Sequence, residues 1–237
     1  MNDSVNNEMS YARFDEFFPQ GPFDLPAVLK MFRDGRDEAV GRDIADRMDR
    51  ATAELKAVDP LSAMPSPGSA APLFELPNHK GTTVSLTGLL ETGPVVVVFY
   101  RGVWCPYCNL TLRAYQQHVS EITELGATLV AVSPQTPDDS LTVAERNDLT
   151  YEVLSDVRAA AARAYGLVFR LPRYLQEAYQ ELGHPLPAFN GTDDWELPIP
   201  ATFVIDRDRT IRFAYADPDY TRRADPADVL AALREIA

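Results

Sequence analysis

The chain of 237 residues has few cysteines and no long apolar run. Its two cysteines are too few for the disulfide framework of a small secreted domain. No stretch reaches the roughly 20 apolar residues that a membrane-spanning helix needs, and the first residues lack the basic and apolar regions of a secretory signal. These absences predict a cytoplasmic protein whose thiols are reduced at rest and form a disulfide only transiently.

Basic residues are also scarce. The sequence has 22 lysines and arginines against 35 aspartates and glutamates, which gives a formal net charge of −13. An acidic surface repels the phosphates of nucleic acids and the headgroups of anionic membranes. The composition therefore argues against a nucleic acid or a membrane as the partner of this protein.

Residues 24–58 carry apolar side chains at helical spacing, with charged residues on the other faces. The apolar positions are Ile44, Met48, Ala51 and Leu55. Gly35 and Gly41 are expected to break this segment into two helices. The following residues, 59–72, are rich in proline, serine and alanine, which is typical of a linker. We identify no residues with an evident chemical role in this helical arm.

The rest of the chain alternates short apolar runs with helical patterns. Strands are predicted at residues 94–100, 127–134 and 151–156, and helices at residues 108–126, 140–148 and 157–166. A hairpin is predicted over residues 200–216, followed by a helix capped by Asp225. This order indicates a three-layer α/β fold with a mixed central sheet. We predict an N-terminal arm with the start of the linker (residues 1–61) and a main domain (residues 62–237).

Residues 166–198 form an irregular segment that is rich in aromatic side chains. Such a composition is atypical of a flexible loop, because aromatic rings dominate packing where they are buried. The segment is expected to pack either over the edge of the domain or along a substrate groove.

The two cysteines, Cys105 and Cys108, form a C-x-x-C motif where a buried strand passes into a helix. At this spacing in a first helical turn, the side chains share a face about 5–6 Å apart, which is within reach of a disulfide. The positive end of the helix dipole and the unpaired N–H groups there lower the pKa of a thiol. The motif therefore indicates a redox-active pair.

A metal site and a pair of inert buried thiols are the alternatives. A zinc site would need a second pair of ligands, and the three histidines, His79, His118 and His184, are scattered without ligand spacing. No metal or other cofactor is predicted.

Several segments of the main domain resemble one known family. They are FYRGVWCPYCNLTLRA, VAVSPQTPDDSLT, LVFRLP, WELPIPATFVIDRD and DPDYTRRADP. Together they resemble the alkyl hydroperoxide reductase/thiol-specific antioxidant, or peroxiredoxin, superfamily, and within it a peroxiredoxin-like branch that carries a thioredoxin-style C-x-x-C. The resemblance implies a thioredoxin-like fold and an antioxidant thiol oxidoreductase.

The resemblance assigns roles to individual residues in two ways. In the peroxiredoxin alignment, Cys108 takes the peroxidatic position, Cys105 that of the family's threonine, and Arg101 that of its proline. Pro200 replaces the catalytic arginine of the family, so Arg101 is the candidate for the missing cation. In the thioredoxin alignment, Cys105 after Trp104 is instead the exposed nucleophile, and the Pro-Tyr spacer resembles that of glutaredoxin.

Pro200 is a supporting residue because it stands just before the late strand. In thioredoxin-like folds, a proline at this place is cis and lies against the C-x-x-C motif, and cis X–Pro bonds are uncommon and usually functional. The resemblance therefore implies a cis Ile199–Pro200 bond beside the cysteines. Taken alone, a proline at the first residue of a strand is ordinary.

Three functions follow from these alternatives. The first is reduction of hydroperoxides, in which Cys108 becomes a sulfenic acid, Cys105 closes the disulfide, and a thioredoxin- or glutaredoxin-type donor resets the pair. The second is thiol–disulfide exchange, in which Cys105 attacks a disulfide substrate. The third is a non-catalytic redox sensor that engages a partner through the acidic arm. The assembly is left open, with a homodimer among the options.

Overall fold

The computed structural model describes residues 18–19, 21–137 and 144–237. Of the helix predicted over residues 140–148, the first four residues lie outside these ranges, and residues 144–146 are helical. None of the described helices combines the length and the apolar character required to cross a membrane.

The described strands are short, and most belong to one sheet. They are β1 (Glu75–Pro77), β2 (Thr83–Ser85), β3 (Val95–Phe99), β4 (Thr128–Ser133), β5 (Glu152–Ser155), β6 (Val168–Arg170), β7 (Glu196–Pro198), β8 (Ala201–Ile205) and β9 (Ile211–Ala216). The central sheet has the order β5-β4-β3-β8-β9, with β3, β4 and β5 parallel and β8 and β9 antiparallel. The predicted mixed sheet and closing hairpin are confirmed.

Helices cover the sheet and extend beyond it. They are α1 (Leu25–Asp34), α2 (Arg36–Val40), α3 (Arg42–Ala57), α4 (Leu86–Leu90), α5 (Pro106–Gln117), α6 (Val119–Glu124), α7 (Ala160–Ala164), α8 (Arg173–Glu181), α9 (Leu186–Asn190) and α10 (Pro226–Arg234). The single helix predicted over residues 108–126 is divided at His118, whose N–H donates to Tyr115 three residues back and so tightens the turn.

The core has two layers, one on each face of the sheet. Strand β3 is buried along its whole length, as its run of valines predicts. Its side chains alternate, so that Val95 and Val97 pack with Tyr165 on one face. Val96 and Val98 pack on the other face, which also holds both cysteines. The C-x-x-C motif therefore lies on the face of the sheet to which Val96 and Val98 point.

Residues 24–58, the described part of the N-terminal arm for which two helices were predicted, contain three helices, because the chain turns at both glycines. Gly35 ends α1, and Gly41 separates α2 from α3 with a φ of 85°, a conformation that favours glycine. The apolar stripe predicted for α3 is partly confirmed, since Met48 and Ala51 are buried.

The arm lies over the helix that follows the cysteines. The ring of Phe32 in α1 meets the ring of Tyr107 in α5 edge-on, with centroids 6.4 Å apart. Arg47 in α3 forms an ion pair with Glu181 of α8 at 2.7 Å. These contacts connect the arm both to the C-x-x-C helix and to the aromatic segment of residues 166–198. The division into an arm and a main domain stays a prediction.

Candidate active site

The two cysteines occupy the first turn of α5. Cys105 is the N-cap residue, Pro106 the first helical residue and Cys108 the third. The N–H groups of Cys108 and Asn109 donate to the carbonyl of Cys105 at 3.0 and 3.1 Å, which starts the helix. Proline suits this position because its missing N–H would have no partner in the helix. The sequence-predicted placement of the motif at a strand-to-helix junction is confirmed.

Both thiols are free and enclosed. Cys105 is 1% exposed and Cys108 is fully buried. Cys105 therefore lacks the exposure that the thioredoxin alignment predicts for a nucleophile. This prediction is wrong because the helical arm and the segment of residues 166–198 close over the start of α5.

Two arginines converge on the sulfur of Cys108. The backbone N–H of Arg101 donates to Sγ at 3.4 Å, and the guanidinium of Arg223 donates to it at 3.5 Å. Burial alone raises the pKa of this thiol. The hydrogen bond from the Cys105 thiol and the charges of Arg223 and Arg101 oppose burial and bring the pKa of Cys108 below its ordinary value.

The pKa of the Cys105 thiol shifts in the opposite direction. Burial and the hydrogen bond that it donates to Cys108 raise the pKa of the Cys105 thiol well above its ordinary value. These opposite shifts of the two pKa values favour a thiolate at Cys108 and a neutral thiol at Cys105. Since the thiolate is the reactive form, the geometry favours Cys108 as the nucleophile.

The side chain of Arg101 is held among aromatic rings. Its guanidinium carbon lies 4.8 Å from the ring centroid of Trp104 and 4.5 Å from that of Tyr220. A guanidinium N–H donates to the hydroxyl of Tyr179. Cation–π contacts of this kind stabilise a desolvated guanidinium. Arg101, the candidate for the missing cation, is therefore a buried cation next to the thiols.

The loop before the cysteines is fixed by polar side chains that the sequence did not single out. Gln135 accepts a hydrogen bond from the N–H of Val103 at 2.7 Å, and Asn109 donates to the Val103 carbonyl at 2.7 Å. Gly102 has a φ of 152°, and a Cβ there would meet the indole nitrogen of Trp104 at 2.4 Å. Glycine at this place lets Trp104 lie against the loop.

A cavity of about 900 Å³ opens beside Cys105. Helices α1 to α3 form one wall and the segment of residues 166–198 the other, including Tyr179 and His184. Trp104 packs against both of these rings, with centroids 5.2 and 5.6 Å away. The segment of residues 166–198 therefore lines this cavity. Of its two predicted roles, this position agrees with the lining of a groove.

Pro200 differs from its prediction. No peptide bond of the described residues is cis, so the Ile199–Pro200 bond is trans. The chain runs extended from β7 into β8 here, with the N–H of Ile199 bonded to the Leu167 carbonyl at 2.8 Å, and a trans bond preserves this course. Pro200 lies with Arg101 in the wall of a smaller cavity of about 350 Å³.

The structure thus brings Cys105, Cys108, Arg101 and Trp104 together and adds Arg223, which sequence reasoning missed. Arg223 stands 115 positions after Cys108. It lies within DPDYTRRADP, one of the segments that carry the family resemblance. That likeness was the one signal in the sequence, but the segment alone does not reveal which arginine faces the thiol.

Comparison with known proteins agrees with this geometry. The family model described as the AhpC/TSA family matches residues 67–214. The chain belongs to the AhpC/TSA family. This peroxiredoxin family comprises oxidoreductases, so the predicted enzyme class and superfamily are confirmed.

Three relatives illustrate the likeness. A putative peroxiredoxin of Mycobacterium tuberculosis, Rv1608c, is 29% identical over 163 residues, which cover 69% of this chain and 92% of that protein. Peroxiredoxin Bcp of Escherichia coli is 27% identical over 110 residues, 46% of this chain and 67% of its own. The crystal structure of peroxidoxin BcpB from Mycobacterium tuberculosis has 26% identity and a TM-score of 0.57, covering 72% of this chain and 97% of the other. The predicted thioredoxin-like fold is confirmed.

Mild oxidation is expected to give one intramolecular disulfide between Cys105 and Cys108. The two side chains already share a hydrogen bond within one helical turn, and no other cysteine exists in the chain. Mass spectrometry of the intact protein should show a monomer that has lost two hydrogens. Predominantly intermolecular dimers would contradict this prediction, because they would mean that the helix turn prevents closure.

Proposed function

We propose that this protein reduces hydroperoxides through a dithiol/disulfide cycle of Cys108 and Cys105. One observation carries the proposal: the cationic and N–H groups of Arg223 and Arg101 point at Cys108, whose pKa is lowered, while the pKa of Cys105 is raised. Membership of the AhpC/TSA family supports the same assignment.

The cycle has two chemical steps in the protein. The Cys108 thiolate attacks one oxygen of the hydroperoxide, the O–O bond breaks, and water or an alcohol leaves after it takes up a proton. Cys108 is now a sulfenic acid. The Cys105 thiol attacks its sulfur, a disulfide forms, and the sulfenic oxygen departs as a second water. Cys105 suits this role because it stays protonated until the sulfenic acid forms.

The site departs from the family pattern, and groups of this chain compensate for two of the departures. Cys105 stands where the family has threonine, and it donates a hydrogen bond to Cys108 in the resting state. Pro200 stands where the family has arginine, and Arg223 supplies a guanidinium from the segment between β9 and α10. We infer that these substitutions preserve an activated thiolate by different residues.

An external thiol donor must return the disulfide to two thiols. The family resemblance favours a donor of the thioredoxin or glutaredoxin type. Such a donor acts on the sulfur of Cys105 or Cys108 through a mixed disulfide. A homodimer is compatible with the cycle, but both cysteines act within one chain.

Thiol–disulfide exchange without peroxidase activity has less support. It requires an accessible, low-pKa Cys105, whereas this thiol is 1% exposed and its pKa is raised. The trans bond before Pro200 also departs from the cis proline that the thioredoxin-like resemblance implied beside the C-x-x-C motif. A non-catalytic sensor would be oxidised once and not regenerated by any donor.

Steady-state turnover separates these functions. Hydrogen peroxide and an organic hydroperoxide are each supplied with dithiothreitol as reductant, and reduction of insulin disulfides is measured beside them. We expect peroxide consumption over many cycles and negligible insulin reduction. Fast insulin reduction with no peroxide turnover would support thiol–disulfide exchange, and a single oxidation without turnover would support the sensor.

A further inference from the structure

The cavity beside Cys105 is much larger than hydrogen peroxide requires. Its volume of about 900 Å³ falls within the roughly 300–1,000 Å³ of small-molecule sites. Cys105 lies in its lining, together with Phe32 and Ala39 of the arm and His184 of the opposite wall. Cys108 is absent from the lining and lies behind Cys105. A molecule in this cavity therefore meets the resolving sulfur first.

Access to Cys105 is restricted to molecules that fit the cavity. A donor protein reduces a disulfide by bringing its own sulfur into line with it. In the reduced structure, Cys105 is only 1% exposed and the arm packs over α5 through Phe32 and Tyr107, so this arrangement favours a molecule that fits the cavity over the active-site surface of a donor protein. A small thiol can enter through the cavity.

The charges around the site indicate the sign of the charge that this small thiol carries. Of the charged residues that line the cavity, Arg36 is paired with Asp49, Glu181 is paired with Arg47, and Glu38 is exposed. Among the described residues, neither Arg101 nor Arg223 forms an ion pair with a carboxylate. Burial raises the pKa of Tyr179 and Tyr220, so neither phenol supplies a negative charge at neutral pH. In the reduced protein, the Cys108 thiolate is the anion that faces both guanidinium groups.

Disulfide formation removes that anion. The oxidised protein then holds two guanidinium groups near the cysteines without a facing negative charge, and a buried unpaired charge is costly. An anionic molecule that approaches Arg101 from the cavity would offset this cost. The oxidised state, which awaits the reductant, is therefore the state with the strongest preference for an anion.

We propose that the cavity binds a low-molecular-weight thiol with a negatively charged group, which reduces the Cys105–Cys108 disulfide; this rests on the cycle proposed above. The thiolate of this molecule attacks the sulfur of Cys105 and releases Cys108 as a thiolate, the better leaving group of the pair. A second molecule attacks the mixed disulfide, forms the disulfide of the small thiol and releases Cys105. Two thiols lose two protons, of which one goes to Cys105 and one to solvent.

The test starts from protein whose disulfide is formed with diamide, so that peroxide is not involved. Mercaptopropionate, mercaptoethanol and cysteamine serve as an anionic, a neutral and a cationic probe, and the rate of thiol recovery is normalised to the thiolate concentration of each. We expect mercaptopropionate to react at least about tenfold faster than cysteamine, because complementary charge lowers the barrier to encounter. Equal normalised rates for the three thiols would overturn the proposal that the cavity prefers a negatively charged thiol.

A cavity variant tests the location. Ala39→Trp places an indole in the wall of the cavity, whereas Ala53→Trp places the same side chain on an exposed position of α3 outside it. We expect Ala39→Trp to slow reduction by mercaptopropionate at least about tenfold and Ala53→Trp to leave it unchanged. Equal rates in the two variants would contradict the location.

A donor protein is the remaining comparison. Thioredoxin with its reductase is expected to reduce the disulfide more slowly than millimolar mercaptopropionate, and a faster reaction would overturn the proposal of a small thiol. These rates do not depend on peroxide. If peroxide failed to oxidise the protein while the thiol series behaved as expected, the peroxidase function would be wrong and the thiol site would stand.

Discussion

Cys108→Ser is expected to slow the reaction with hydrogen peroxide at least about 100-fold, because a hydroxyl is a weak nucleophile at neutral pH. Cys105→Ser should still consume one equivalent of peroxide and stop at a sulfenic acid, since no resolving thiol remains. Serine is chosen at position 105 because its hydroxyl can replace the hydrogen bond that Cys105 donates to Cys108. Single-turnover peroxide consumption and dimedone labelling measure both outcomes.

The double variant, Cys105→Ser with Cys108→Ser, gives the background for these measurements, because it removes both thiols and keeps the fold of α5. A reversed pattern would contradict the assignment. If Cys108→Ser reacted with peroxide, or accumulated mixed disulfides with disulfide substrates, then Cys105 would be the nucleophile and the thioredoxin alignment would describe the chemistry.

The features that depend on residues adjacent in the sequence were predicted correctly. The run of valines in β3 and the helix signal after Cys105 place the motif correctly, because a buried strand and a capped helix are local patterns. The hairpin of β8 and β9 was predictable for the same reason. The family resemblance then supplied the arrangement of the sheet.

The surroundings of the thiols were not predictable in this way. Tyr179 and Arg223 lie 78 and 115 positions from the residues that they contact, and only the folded topology brings them to the start of α5. The exposure of Cys105 was predicted wrongly because helical periodicity in the arm does not reveal where its apolar face packs. The arm lies over the active site and forms one wall of its cavity.

Arg223→Ala is expected to raise the pKa of Cys108 and to slow peroxide reduction at neutral pH. Removing a facing cation destabilises the thiolate, so the thiolate fraction falls at every pH below the new pKa. Once the pKa exceeds the working pH, each further pH unit of difference lowers the thiolate fraction about tenfold, and the greater nucleophilicity of a more basic thiolate offsets part of this loss. The difference between variant and native protein should shrink as the pH rises, because both are then fully ionised.

The pH dependence of peroxide consumption and of alkylation by iodoacetamide measures this change in the pKa of Cys108. Arg222→Ala is the matched control, since Arg222 is the exposed neighbour and its charge faces Asp217 and Asp219 instead of the thiol. Arg223→Lys should fall between native protein and Arg223→Ala, because lysine keeps the charge without the guanidinium geometry.

Arg101→Ala completes the prediction, because it separates the two ways in which Arg101 acts on Cys108. The variant loses the guanidinium charge but keeps the backbone N–H that donates to the sulfur. Since the charge of Arg223 lowers the pKa of Cys108 more than that of Arg101, we expect the same direction of change with a smaller size. An unchanged pKa and rate in both Arg101→Ala and Arg223→Ala would mean that nothing replaces the missing family arginine. Peroxidase activity would then lose its physical basis, and thiol–disulfide exchange would become the better assignment.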